Sequence, residues 1–234
     1  MAVSFRDRVA DIRFGECNIP SRLRFIRHDD NTSARAREFI TNLHSHVVTS
    51  VRDVEGTQMP DDRRLIGQGL LWAGTPGSGK TYEAAATLQE VIYRSGNKIP
   101  VYFVAYADYI HERKQQWALN NKEGMADRWA QIQCMLEEVE EAEVLMVDDV
   151  GKEMDGASGF AASELERLLR KRHREGRPTL VTTNLKPKDW AATFGSESLG
   201  DFIKEAFVVI AMTDSSRRGA PRPDPTANEP DISS

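Results

Sequence analysis

Between Gly69 and Met212 the chain alternates short apolar runs with longer stretches in which apolar residues recur every third or fourth position. Apolar runs of about four to eight residues are strand-sized, and a period near 3.6 marks an amphipathic helix. The pattern predicts strand 69–73, helix 80–95, strand 100–106, helices 108–119 and 125–142, strand 144–148, helix 158–175, strand 178–183, short helices over 187–204 and strand 206–212. Strands separated by helices pair in parallel and are covered on both faces. The expectation is an α/β, three-layer α/β/α fold around a five-stranded, mostly parallel sheet. Upstream, Phe39, Ile40, Leu43, Val47, Val48 and Val51 predict an amphipathic helix over 34–53, capped by Asn31, Thr32 or Ser33. Residues 1–33 read as an N-terminal extension and 34–214 as the folded domain. Residues 215–234, with four prolines and almost no apolar side chains, read as a disordered tail.

Composition narrows the classes. Of 234 residues 40% are apolar and 29% charged, and 31 basic against 36 acidic residues leave a net charge of −5. This is a globular composition with no bulk signal for nucleic acid. No apolar run approaches the ~18 residues of a membrane span. The N-terminus carries charges where a secretory leader needs an apolar stretch, so no membrane partner and a cytoplasmic location are expected. Cys17 and Cys134 are too far apart for a zinc knuckle or a disulfide framework and read as buried small residues. His44 and His46 fall on different faces of a helix and read as surface or packing residues. Glu137, Glu138, Glu140, Glu141 and Glu143 read as a solvated acidic helix end. Arg167, Arg170, Lys171, Arg172, Arg174 and Arg177 read as a solvated face or as a contact for phosphate or a neighbouring subunit.

The chemistry concentrates at three strand ends. Gly74, Thr75, Pro76, Gly77, Ser78, Gly79, Lys80 and Thr81 fit G-x-x-x-x-G-K-[ST] between an apolar strand and a helix, with Tyr82 directly after. Glycines let consecutive N–H groups converge on a polyphosphate at the helix N-terminus. Lys80 then reaches the β and γ phosphates, and the Thr81 hydroxyl ligates Mg²⁺. The strand VLMVDD supplies Asp148 for the metal shell and Asp149 to orient or deprotonate the attacking water. Two adjacent carboxylates at a strand end suit a bound cation. PTLVTTN ends in Asn184, placed to hydrogen-bond that water or the γ-phosphate, as in the additional-strand class of P-loop ATPases.

GLLWAGTPGSGKTYEAAA, VLMVDDVGKE, LERLLRKRHREGRPTLVTTNL and VVIAMTDSSRR resemble successive blocks of the DnaC-type helicase loaders and related IstB ATPases, over about residues 14–218. FGECNIPSRLRF resembles their G-I-P-x-R lead-in. The resemblance implies an AAA+ fold without a C-terminal lid domain, an ATPase using ATP and Mg²⁺, Asn184 as sensor, and Arg217 after the last strand reading the γ-phosphate. It implies a DnaB-like hexameric replicative helicase and single-stranded DNA as partners in DNA replication, with homo-oligomers formed on ATP or partner. The alternatives are an IstB-like transposition ATPase and a nucleotide-binding adaptor with little hydrolysis. The resemblance also implies a DNA-contacting element between the second strand and the acidic strand. There Tyr109, Arg113, Lys114 and Trp117 lie about one turn apart, a mix that stacks bases and tracks phosphates, although Asp108, Glu112, Glu123 and Asp127 interleave and the spacing also suits a plain amphipathic helix. The segment GSESLGDFIKEAF, where a neighbour-directed arginine is expected, has only Lys204, so slow hydrolysis without a partner is expected. Where the loaders carry a helicase-gripping domain, Met1 to Phe14 is expected to bind the partner through Phe5, Val9 and Ile12, or else to pack on the core.

Overall fold

Alternating positions of the strands go to opposite sides of one sheet, and this divides the molecule into layers. The computed structural model describes residues 5–47, 65–119, 124–151 and 159–212. Five strands, β1 (Gly69–Gly74), β2 (Val101–Ala105), β3 (Val144–Val150), β4 (Thr179–Thr183) and β5 (Phe207–Met212), lie in the order β2-β3-β4-β1-β5. Every pairing is parallel.

Leu70, Trp72, Val101, Phe103, Val144, Met146 and Leu180 face one side and pack with α4 (Lys80–Ser95). Leu71, Tyr102, Val104, Leu145, Val147 and Val181 face the other side. Their cover is α5 (Tyr106–Leu119), α6 (Ala126–Glu141), α7 (Phe160–Arg174), α8 (Trp190–Phe194) and α9 (Glu197–Ala206). The three-layer α/β/α arrangement follows from these two alternating sets. Among the described residues no helix is long and apolar enough to cross a membrane.

The segment before β1 is built into the α4 layer. Helix α1 (Phe5–Glu16) ends in the buried Phe14, which shares a cluster with Cys17, Ile19 and Leu23. Phe103 N–H donates to Cys17 O at 2.9 Å and Asn18 Nδ2 donates to Phe103 O at 3.0 Å, so the chain covers the open edge of β2. It then runs along α4: Gln89 donates to Leu23 O at 2.8 Å, Arg27 pairs with Glu90 at 2.6 Å, His28 meets Thr87 at 3.0 Å, and Ser33 N–H donates to Glu83 at 3.2 Å. Ser33 is the N-cap of α2 (Ala34–Thr41), its hydroxyl accepting from Ala36 N–H.

Three expectations are corrected here. The helix expected over 34–53 stops at Thr41, restarts as α3 (Leu43–His46), and turns extended at Val47, where the β-branched run gives a helix little support. His46 O then accepts from Gly67 N–H at 2.9 Å at the approach to β1; Val48 and Val51 lie outside the described residues. Cys17 is buried as expected but Cys134 is exposed. The acidic and basic clusters are solvated only in part: Glu137, Glu138, Glu141 and Arg174 are exposed, but Glu140 takes Arg167 at 2.8 Å and Lys171 at 2.7 Å, and Glu141 takes Arg177 at 2.8 Å. Arg172 is 0% exposed and donates to Thr179 Oγ1 and to the carbonyls of Val139, Glu140, Ala142, Glu143 and Pro178. A fully buried guanidinium is tolerated only when its donors are this well met.

Candidate functional site

The site sits where β1, β3 and β4 end beneath the N-terminus of α4. Gly77 (φ 86°) and Gly79 (φ 94°) adopt the left-handed region that a side chain disfavours, folding residues 74–79 into a loop over the helix end. No side chain caps α4, so its first amides stay available to an anion. The Lys80 ammonium lies across this loop, donating to Gly74 O at 2.9 Å and Thr75 O at 2.7 Å. Tyr82, 47% exposed, lies on the first turn beside Thr81. Trp72 fixes the approach from below, its indole N–H donating to the buried Glu83 at 3.0 Å.

Asp148 is buried and receives two hydroxyls on Oδ1, from Thr81 at 2.8 Å and Thr182 at 2.6 Å. Burial pushes its carboxyl above the usual carboxylate range. The Thr182 and Thr81 hydrogen bonds oppose that rise, the Asp149 charge adds to it, and the Arg22 charge draws it back. A carboxylate held at this cost beside a threonine of a phosphate loop suits a hard divalent cation completed by phosphate and water. Among the described residues no group of three or more His, Cys, Asp or Glu forms an all-protein metal cage.

Asp149 differs from its neighbour in backbone rather than chemistry. Its φ of 59° falls where the β3–β4 register slips between Val147 and Val150, a bulge that turns the side chain out of the strand's alternation. Asn184 Nδ2 donates to Asp149 Oδ1 at 3.1 Å, and Thr182 Oγ1 accepts from Asp149 N–H at 2.8 Å. Thr182 thus ties both aspartates to β4, a role the sequence reading missed. Its signal was parity: Leu180, Thr182 and Asn184 share one side of β4, the side of Asp148.

This constellation, a phosphate loop closing on two acids steered by a polar strand tip, occurs in a chain that a family model matches over residues 50–217, that of the IstB-like ATP binding protein. The chain belongs to that family. Solved structures similar to this IstB-like protein include the DnaC helicase loader (22% identity, TM-score 0.60, covering 82% of this chain and 99% of that one) and DnaI (21%, 0.54, 85% and 94%). A third is AMPPCP-bound DnaA from Aquifex aeolicus (12%, 0.51, 82% and 50%). At these identities the likeness is one of fold, the AAA+ P-loop α/β architecture. No curated protein matches the chain.

In this IstB-like chain the four residues expected at DNA divide into two pairs. Tyr109 is 0% exposed, its ring in the core, its hydroxyl 3.4 Å from Glu164 and 3.1 Å from Arg167, and burial pushes that hydroxyl up to about 12. Arg113 pairs with Glu164 at 2.9 Å. Neither is free to meet a base, because the face they occupy is the one α7 covers. Lys114 and Trp117 do face solvent, Trp117 at 70% exposure with its ring edge-on to Phe160 at 6.1 Å and Lys114 6.0 Å over the same Phe160 ring. Lys204 is exposed and paired with Asp201 at 2.8 Å. Arg217 and the Pro-rich tail lie outside the described residues. Of Met1 to Phe14, Ile12 is exposed and Phe14 buried, while nothing is described of the Phe5 and Val9 side chains.

Proposed function

We propose that this chain is a Mg²⁺-dependent ATPase that acts on a ring-shaped replicative helicase and single-stranded DNA. The observation that carries the catalytic half is the bond from Thr81 to Asp148, which joins the phosphate loop to the acidic strand across the place a metal–phosphate group would fill. Lys80 and the α4 amides bind the phosphates, and Thr81 with Asp148 would hold the Mg²⁺ that neutralises the β and γ oxygens. Asp149, held by Asn184, accepts the proton of the attacking water or orients it. The helicase half is supported by the fold shared with the DnaC helicase loader over nearly all of that chain. Lys114, Trp117 and Phe160 offer the cationic and aromatic surface that single-stranded DNA requires.

Titration with a fluorescent ATP analogue tests the first half. Lys80→Ala removes a charge-assisted phosphate contact worth about 1.5–3 kcal/mol and should weaken binding tenfold or more. Unchanged affinity rejects the site. For the second half, the host's hexameric helicase and a transposase are offered as partners with labelled oligonucleotide; capture of the transposase alone favours the transposition reading.

A further inference from the structure

We propose that Thr182 is a positioning residue of the nucleotide site, setting through one hydroxyl the orientation of both acids and, with it, how readily Mg²⁺ is captured beside a bound nucleotide. The inference rests on the ATP reading and adds a residue to it. Its first ground is the strand register. Val147 pairs with Val181 and Val150 with Thr183, so Asp148 and Asp149 together stand opposite the single residue Thr182. Two residues against one is the count of a β-bulge, which re-aims side chains and interrupts the ladder of backbone bonds. The Thr182 hydroxyl fills that interruption: Asp149 N–H donates to Oγ1 at 2.8 Å, and Oγ1 donates in turn to Asp148 Oδ1 at 2.6 Å.

The second ground is the direction of these bonds. A hydroxyl carries one proton, and a backbone N–H can only donate. Thr182 Oγ1 therefore accepts from Asp149 and gives its own proton to Asp148, and no rotation of the hydroxyl serves both acids in another way. The residue is buried, away from bulk water. Asp148 Oδ1 also receives the Thr81 hydroxyl at 2.8 Å, while among the described residues Oδ2 takes no hydrogen bond. Thr81 stands on the helix that meets the nucleotide, whereas Thr182 is held in the sheet between β3 and β1, so the Thr182 bond is the one that ties the carboxylate to the scaffold. Carboxylates that hold a metal are themselves oriented by such bonds, and losing one costs about 10–100-fold in metal affinity or activity. Thr183 supplies the contrast. It is equally buried on the same strand, but its hydroxyl donates to Val150 O at 2.7 Å and accepts from Leu185 N–H at 3.0 Å, touching backbone and neither acid.

The test is titration of the full chain and its variants with a fluorescent ATP analogue at stepped Mg²⁺ concentrations and in EDTA, alongside thermal unfolding without nucleotide. Thr182→Val keeps the shape and removes the hydroxyl. It should raise the Mg²⁺ concentration that gives half-maximal tightening by about tenfold or more, with affinity in EDTA within about twofold of wild type. Thr182→Ser restores the hydroxyl and should recover most of the Mg²⁺ response. Thr183→Val deletes a hydroxyl bonded only to backbone and should lower the thermal midpoint while leaving the Mg²⁺ response as in wild type. An equal Mg²⁺ response in wild type and Thr182→Val overturns the inference and leaves the ATP site standing, as does a Thr182→Ser variant that recovers nothing. A shift in Thr183→Val as large as that in Thr182→Val, or a matching loss of affinity in EDTA, also overturns it, since either marks general damage to β4. Wild type that fails to bind the analogue, or binds it alike with and without Mg²⁺, overturns the reading of a Mg²⁺-dependent ATP site and this inference together.

Discussion

On the α4 side of the sheet Asp148 is buried against two hydroxyls and forms no ion pair among the described residues, whereas on the opposite side Glu140 is met by Lys171 and Arg167. Burial would raise both carboxyls. At Glu140 hydrogen bonds from Lys171 and Arg167, and their charges, reverse the shift and hold it below the usual range, while at Asp148 burial wins. Around Glu140 the helices over one face have settled their charges among themselves, and that part of the layer is a structural cover. The other face keeps a buried acid hydrogen-bonded to the phosphate loop, as the proposed cation site requires. An uncompensated group is thus a better guide to function here than the density of charge.

Substitutions on each side can break this contrast. The largest effect should come from Asp149→Asn, which preserves size and tolerates the left-handed backbone but cannot take a proton. Turnover should fall by roughly 10²–10⁴ while ATP affinity stays within a few fold; undiminished phosphate release would remove Asp149 from the mechanism. Next is Arg172→Leu on the cover face, which removes a donor from five carbonyls, of which Glu140 O keeps Arg177 and Pro178 O keeps the Leu145 N–H. A loss of about 3–5 kcal/mol, or a midpoint lower by roughly 10 °C, is expected in thermal unfolding, with nucleotide affinity unchanged below the transition. A midpoint within a degree of wild type would show that water reaches those carbonyls.

The smallest effects sharpen the comparison most, because they should have opposite pH slopes. Asp148 is raised in the folded state, so its charge opposes folding, with the penalty growing as pH rises from the unfolded carboxylate range through the folded value. Asp148→Asn should therefore raise the nucleotide-free midpoint at neutral pH, by roughly 2–4 °C per kcal/mol, and the gain should vanish toward pH 4 as Mg²⁺-dependent binding is lost throughout. Glu140 is lowered, so its contribution is present above the unfolded range and disappears as pH falls through the folded value. Glu140→Gln should destabilise at neutral pH and converge with wild type in acid. Parallel pH profiles for the two variants would mean that the two faces do not differ in this respect.

Much of the site was legible because its signals are local. The glycines of the phosphate loop and the apolar run ending in two acids each state their geometry within a few residues, and α4 begins and ends where its pattern does. What was not legible depends on segments far apart in sequence. Tyr109 looks like a base-stacking residue until α7 covers it, and Glu140 looks solvated until Arg167 and Lys171 arrive. The turn that aims Asp149 comes from a register slip against β4, which no periodicity in β3 announces. The end of α3 at His46 likewise coincides with the bond from Gly67 N–H to His46 O, a contact outside any local window.

Arg172 also bears on how long the fold lasts once formed. Its acceptors come from the end of α6, the turn before β3 and the start of β4, and they converge only when α6, α7 and both strands have docked and water has left. Bonds that depend on so many prior events should form late, beyond the folding barrier. Their loss should leave the folding rate almost untouched and fall on the unfolding rate instead. The lifetime of the native molecule under forced or irreversible unfolding therefore hangs on one guanidinium on the face that plays no part in the chemistry.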